Sequence, residues 1–83
     1  MTHSLTLRIL TPEGPCFDGP VDAVFLPGSA GRFEILPAHA PILTSLDGGS
    51  ILWRKGSEQQ SLEIVSGSAI FENDILTVCA QPR

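Results

Sequence analysis

Residues 26–44, LPGSAGRFEILPAHAPILT, constrain the fold more than any other part of this chain. The segment carries Pro27, Pro37 and Pro41 together with Gly28 and Gly31. Proline locks φ and removes a backbone donor, and glycine admits positive φ. No helix runs through such a stretch. It reads instead as a loop, a short strand over residues 32–36 and a second rigid turn. His39 stands between the last two prolines, flanked by Ala38 and Ala40. Small neighbours leave its imidazole accessible on a stiff frame, an arrangement suited to catalysis, metal binding or partner contact.

The same punctuation covers the whole chain. Eight glycines and seven prolines cut it into pieces of about five to eight residues, the length of strands. Residues 5–9 alternate apolar and polar with period two, the pattern of a half-buried strand. Thr11-Pro12-Glu13-Gly14-Pro15 is a turn. Further strands are expected over residues 16–18, 21–26, 42–46, 50–55, 60–66, 68–72 and 75–80. Gly19-Pro20, Asp47-Gly48-Gly49, Gly56, Gly67 and Asn73-Asp74 separate them. Glu58-Gln59-Gln60 has helix propensity, but Gly56 and Gly67 leave too few residues for a stable helix. About nine short strands with turn residues between them predict an all-β fold, a sandwich or barrel.

Length and charge narrow the function. A chain of 83 residues makes one domain with a modest core, burying about 60% of its unfolded surface. That leaves little interior for a deep cleft. A hydrophobic fraction of 42% supports folding over disorder. No apolar run approaches the ~20 residues that span a bilayer. The N-terminus, MTHSLTLRIL, lacks the pattern of a signal peptide, so a cytosolic or cytosol-facing location is expected. The net charge is −4, and the five basic residues are scattered. A nucleic-acid binder would show a basic stripe, so none is expected as a partner.

The side chains offer no chemical constellation. Cys16 and Cys79 fit no zinc ribbon or C-x-x-C motif, and their apolar surroundings predict unpaired, core or half-buried thiols. A zinc site wants three or four ligands, and His39 has none in view; His3 lies near the terminus. Ser29, Ser45, Ser66 and Ser68 sit in no nucleophile elbow. Gly28-Ser29-Ala30-Gly31 lacks the lysine and following helix of a phosphate loop and reads as a strand connection. Neither a cofactor nor a small-molecule substrate is expected. His39 then reads as a loop residue hydrogen-bonded to nearby backbone, and Trp53 as packing.

One ordered set of residues is distinctive. It begins with Leu10-Thr11-Pro12-Glu13-Gly14, Phe17-Asp18-Gly19, Val21-Asp22, Leu26-Pro27-Gly28 and Gly31-Arg32-Phe33. Leu36-Pro37-Ala38-His39-Ala40-Pro41-Ile42-Leu43-Thr44 follows, then Gly49-Ser50-Ile51, Val65-Ser66-Gly67 and Leu76-Thr77-Val78. Over nearly its whole length the chain resembles the N-terminal β-sandwich of the F-type ATP synthase epsilon subunit, called delta in mitochondria. The resemblance implies a flattened sandwich of about nine to ten strands. It also implies a noncatalytic rotor part that docks on the gamma subunit and on the polar loops of the membrane c-ring, coupling ring rotation to the catalytic head. Ser29, Arg32 and His39 match positions facing the c-ring, and are expected to share one end of the sandwich. Thr11, Leu43 and Thr44 match positions near gamma, and an exposed apolar patch on one sheet would mark the gamma face. The implied location is the cytoplasmic face of a bacterial inner membrane, peripheral and without insertion, or the organellar equivalent.

The chain departs from the pattern in two ways. Family members carry a C-terminal helical hairpin that can inhibit ATP hydrolysis and, in some, binds ATP. The last expected strand here runs into Gln81-Pro82-Arg83, so these residues are expected not to inhibit by that route. Members also commonly have glycine in place of Glu34 and Ala38, and an acidic residue in place of Arg32. The other reading of the residues is a free-standing β-sandwich module that binds a protein or ligand.

Overall fold

The computed structural model describes residues 4–83; His3 lies outside them. Eight strands follow in order: β1 (Leu5–Thr11), β2 (Gly14–Val21), β3 (Ala23–Gly28), β4 (Gly31–Ile35), β5 (Ile42–Leu46), β6 (Gly49–Lys55), β7 (Glu58–Glu72) and β8 (Ile75–Pro82). One layer runs β2-β1-β8-β7-β5, and a second runs β4-β3-β6-β7. The shared strand is β7. Residues 58–64 pair β6, and the rest of the strand pairs β8 on one side and β5 on the other. β1 and β8 lie parallel, and all other pairs are antiparallel.

The apolar alternation builds the core. On the first layer Leu7, Leu76, Phe71 and Ile42 form one inward row, and Ile9, Val78, Ala69 and Thr44 the next. The second layer contributes Val24, Leu26, Ile35, Ile51, Trp53 and Ile64. No polar or charged residue among those described is buried. Burying a Leu, Ile or Val side chain is worth about 1.5–3 kcal/mol, so this cluster carries the fold. Phe17 of β2 packs its ring 5.1 Å from Trp53 and closes the side between the layers. The Trp53 indole N–H is buried with no acceptor.

The all-β sandwich is as expected, with eight strands in place of nine. Two of the expected strands, 60–66 and 68–72, are one strand of 15 residues. Gly67 does not break it. A Cβ there would sit 2.6 Å from the Cys79 carbonyl oxygen, so glycine is present to let β8 approach. The pairing instead slips between Ile64 and Ser66, leaving Val65 as an extra, exposed residue. Such a bulge bends a strand, and here it carries β7 from one layer to the other. β2 likewise runs through Gly19-Pro20, which an edge strand tolerates because its outer side needs no donor. The break comes at Asp22, whose carboxylate accepts the Gly56 N–H at 2.7 Å.

The two cysteines are free, as expected, but both are exposed, which corrects the packed reading. Cys79 lies between buried Val78 and Ala80, so alternation turns it outward. Cys16 lies on the edge strand β2.

Candidate functional site

The outer face of the first layer carries four of the six exposed large apolar side chains among the described residues. Strand register lines up Asp18, Arg8, Thr77, Ile70 and Leu43 across five strands. The row beside it holds Leu10, Cys79, Ser68 and Ser45, and the row on the other side holds Thr6, Ile75 and Glu72. Leu10, Ile70 and Ile75 are each about 40% exposed and Leu43 is 78% exposed. The charges stand at the margin: Arg8 and Asp18 are paired at 3.4 Å, and Glu72 sits by the β7–β8 turn. An apolar centre with a charged rim is the anatomy of a protein interface. A groove of about 350 Å³ continues the face, lined by Leu10, Thr11, Pro12, Gly67, Cys79 and Gln81 among others.

Thr11 therefore borders this face. Its hydroxyl donates to the Gly14 carbonyl at 2.8 Å, which holds the β1–β2 turn. Leu43 stands fully on the face. Thr44, its neighbour in sequence, points inward beside Ala69 and is half-buried. Period two forbids the two from sharing a surface. Thr44 instead lines a cleft of about 420 Å³ with Gly28, Arg32, Phe33, Ile42 and Leu43.

Gly28-Ser29-Ala30-Gly31 forms the tight β3–β4 connection, as read from sequence. Gly28 pairs Gly31, and a Cβ on Gly28 would strike the Phe33 ring at 2.7 Å. The Ser29 hydroxyl lies 2.9 Å from that of Ser45 and donates to the Asp47 carboxylate at 3.1 Å. The Arg32 guanidinium donates to the Ser50 carbonyl at 3.0 Å. His39 lies elsewhere. Ser29 bonds at the C-terminal end of β5, whereas His39 precedes its N-terminal end, with its ring edge-on to Phe71. The expectation of one shared tip is corrected: β4 runs between Ser29 and His39 and leaves them at opposite ends of β5.

The His39 loop is tied down. The His39 imidazole Nδ1 lies 2.8 Å from the Ala40 carbonyl, and the His39 main-chain N–H donates to the Leu36 carbonyl. The Ala38 N–H donates to the Asp74 carboxylate at 2.6 Å. Ala38 holds φ at 67°, the left-handed region that suits glycine. Asn73 and Asp74 hold φ at 52° and 58°, the signature of a type I′ hairpin turn. Among the described residues no three His, Cys, Asp or Glu side chains gather as a metal site.

The family model for the ATP synthase Delta/Epsilon chain, beta-sandwich domain, matches residues 4–82. The chain belongs to this family. Among its relatives is the ATP synthase epsilon chain of Synechococcus sp. strain CC9311, 44% identical over 75 residues, which cover 90% of this chain and 56% of that one. The chloroplastic ATP synthase epsilon chain of Tetradesmus obliquus is 38% identical over 77 residues, 93% of this chain and 57% of that one. This chain thus spans little more than half the length of these relatives. Among solved structures, a chain of the Euglena gracilis mitochondrial ATP synthase OSCP/F1/c-ring assembly superposes with a TM-score of 0.87. It is 18% identical, over 95% of this chain and 53% of that one, so the sandwich persists where most of the sequence does not.

Membership of the delta/epsilon family leaves one part of the site that sequence reasoning missed. Leu10, Ile70 and Ile75 share the outer face with Leu43, yet none was singled out. The signal was present. Ile75-Leu76 and Ala69-Ile70-Phe71 are apolar at both parities, which a strand with one wet face does not need.

Proposed function

We propose that this chain is the β-sandwich of a noncatalytic rotor subunit of an F-type ATP synthase, coupling c-ring rotation to gamma. The apolar outer face carries the reading: a delta/epsilon chain with Leu10, Leu43, Ile70 and Ile75 exposed together is built to be covered. Gamma is the partner assigned to that face, with Thr11 at its border and Thr44 contributing through the cleft. The β3–β4 hairpin, with Ser29 and Arg32, is assigned to the polar loops of the c-ring. His39 lies at the other end of β5, so substituting it separately decides whether one end of that strand or both meet the ring. The subunit would be peripheral, on the cytoplasmic face in a bacterium or its organellar equivalent, and would need neither cofactor nor small-molecule substrate.

The test is binding to the cognate gamma subunit, followed by proton pumping per ATP hydrolysed in reconstituted membranes. Leu43→Asp and Ile70→Asp place a charge in the apolar centre and are expected to weaken gamma binding by about tenfold or more, a loss of ~1.4 kcal/mol or greater. Arg32→Glu is expected to leave gamma binding intact and lower pumping. Unchanged gamma binding in both face variants would refute the docking face. Unchanged pumping in Arg32→Glu, Ser29→Ala and His39→Ala would refute the ring contact.

A further inference from the structure

Strand β5 has an open edge. On one side it pairs β7 along its whole length, from Ile42 to Leu46. On the other side only Leu46 has a strand partner, Gly28. The hydrogen bonds there run from the Ser29 N–H to the Ser45 carbonyl and from the Asp47 N–H to the Pro27 carbonyl. The N–H and C=O of a strand residue point to the same side, and that side alternates along the strand. The Ser45 N–H and both main-chain groups of Leu43 therefore face away from β7. Among the described residues none of the three has a partner. Leu43 lines the cleft of about 420 Å³ bounded by the β3–β4 hairpin, and Ser45 follows Thr44 at its margin.

Two other edges, β2 and β4, are guarded and this one is not. β2 carries Pro15 and Pro20, and β4 carries Arg32 and Glu34. Prolines and charges are the usual means by which edge strands resist pairing. β5 reads Ile-Leu-Thr-Ser-Leu, with neither. Free donors and acceptors beside Phe33 and Ile42 need partners once water is displaced. A helix or an isolated apolar side chain supplies none, whereas an extended backbone supplies both kinds at matching spacing. Leu43 also joins the edge to the docking face, because its side chain stands on the face while its main chain opens into the cleft.

We infer that an extended segment of the partner that covers the outer face adds to β5 as an edge strand. It pairs with the main chain of Leu43 and the N–H of Ser45, and lodges an apolar side chain against Phe33 and Ile42. The identity of that partner rests on the gamma docking proposed above; the open edge does not.

Residue-resolved amide hydrogen exchange, on the chain alone and bound to the cognate gamma subunit, tests this. The Leu43 and Ser45 amides are expected to exchange fast in the free chain and about 100-fold slower or more in the complex, as paired strand amides do. Ser45→Pro removes one N–H that faces away from β7 and that the fold does not use, and is expected to weaken gamma binding about tenfold more than Ser45→Ala, which makes a comparable side-chain change and keeps that N–H. A complex in which both amides exchange as in the free chain would overturn strand addition and leave face docking standing. Failure to bind gamma at all would remove the rotor reading and this partner with it. Concentration-dependent protection in the chain alone would assign the edge to a second copy and overturn the inference. Circular dichroism of Ser45→Pro checks its fold, and the exchange result decides if that variant unfolds.

Discussion

Ala38 holds a left-handed backbone, with φ at 67°, while its N–H is fixed to the Asp74 carboxylate. An L-residue pays about 1–2 kcal/mol for that conformation, and glycine avoids it at some cost in unfolded-state entropy. Ala38→Gly is therefore expected to stabilise the chain by about 0.5–1 kcal/mol. Thermal unfolding should rise by about 2–8 °C; an unchanged or lower midpoint would show that the loop relaxes the strain elsewhere. The glycine that the family resemblance implies at this position would thus have a backbone reason. Trp53 is the second residue under tension, being 5% exposed with an indole N–H that meets no acceptor. An unsatisfied buried donor costs about 1–3 kcal/mol, which offsets part of what the ring contributes. Trp53→Phe should cost less than about 2 kcal/mol in urea denaturation, below the ~2–5 kcal/mol expected of Ile51→Ala in the same core.

At the scale of the strand, β7 joins the two layers, and Gly67 is where it is least tolerant. A Cβ there meets a backbone carbonyl, which cannot swing aside. Gly67→Ala is expected to cost about 1–3 kcal/mol through overpacking. Gly19→Ala, where the added atom would lie 3.7 Å from the Phe17 ring, should cost under ~1 kcal/mol. Equal denaturation midpoints for the two variants would contradict the close approach of β8. The strands themselves were legible because period two and turn residues mark them independently of packing. Their number was not, because glycine punctuates a chain in one setting and admits a neighbouring backbone in another. The same limit hid most of the docking face. Alternation reveals that Leu76 and Ile75 point apart, but only the fold decides which of them is inside. Leu43 entered through the family resemblance, and Thr44 came with it although the pleat turns it away. Ser29 and His39 were grouped because both match family positions that face the c-ring, and nothing in the sequence placed them on opposite ends of β5.

For the whole molecule, the apolar face and the free thiols make one combined prediction. Cys16 and Cys79 are both exposed and unbridged, so reductant should leave the unfolding midpoint unchanged, and an aromatic disulfide reagent should titrate both in the folded chain. Bound to gamma, Cys79 should become unreactive, since it stands beside Leu10 on the outer face, while Cys16 on the far edge stays reactive. Equal reactivity of the two in the complex would place gamma elsewhere. Layers that touch only through apolar side chains can slide past one another, because that attraction has no direction. Here the covalent backbone of β7 passes from one layer to the other and is hydrogen-bonded to a neighbour in each. Torque entering at one layer would therefore meet a continuous chain under tension before it met any soft contact, and the domain would turn as one stiff body rather than absorb part of each step as internal shear.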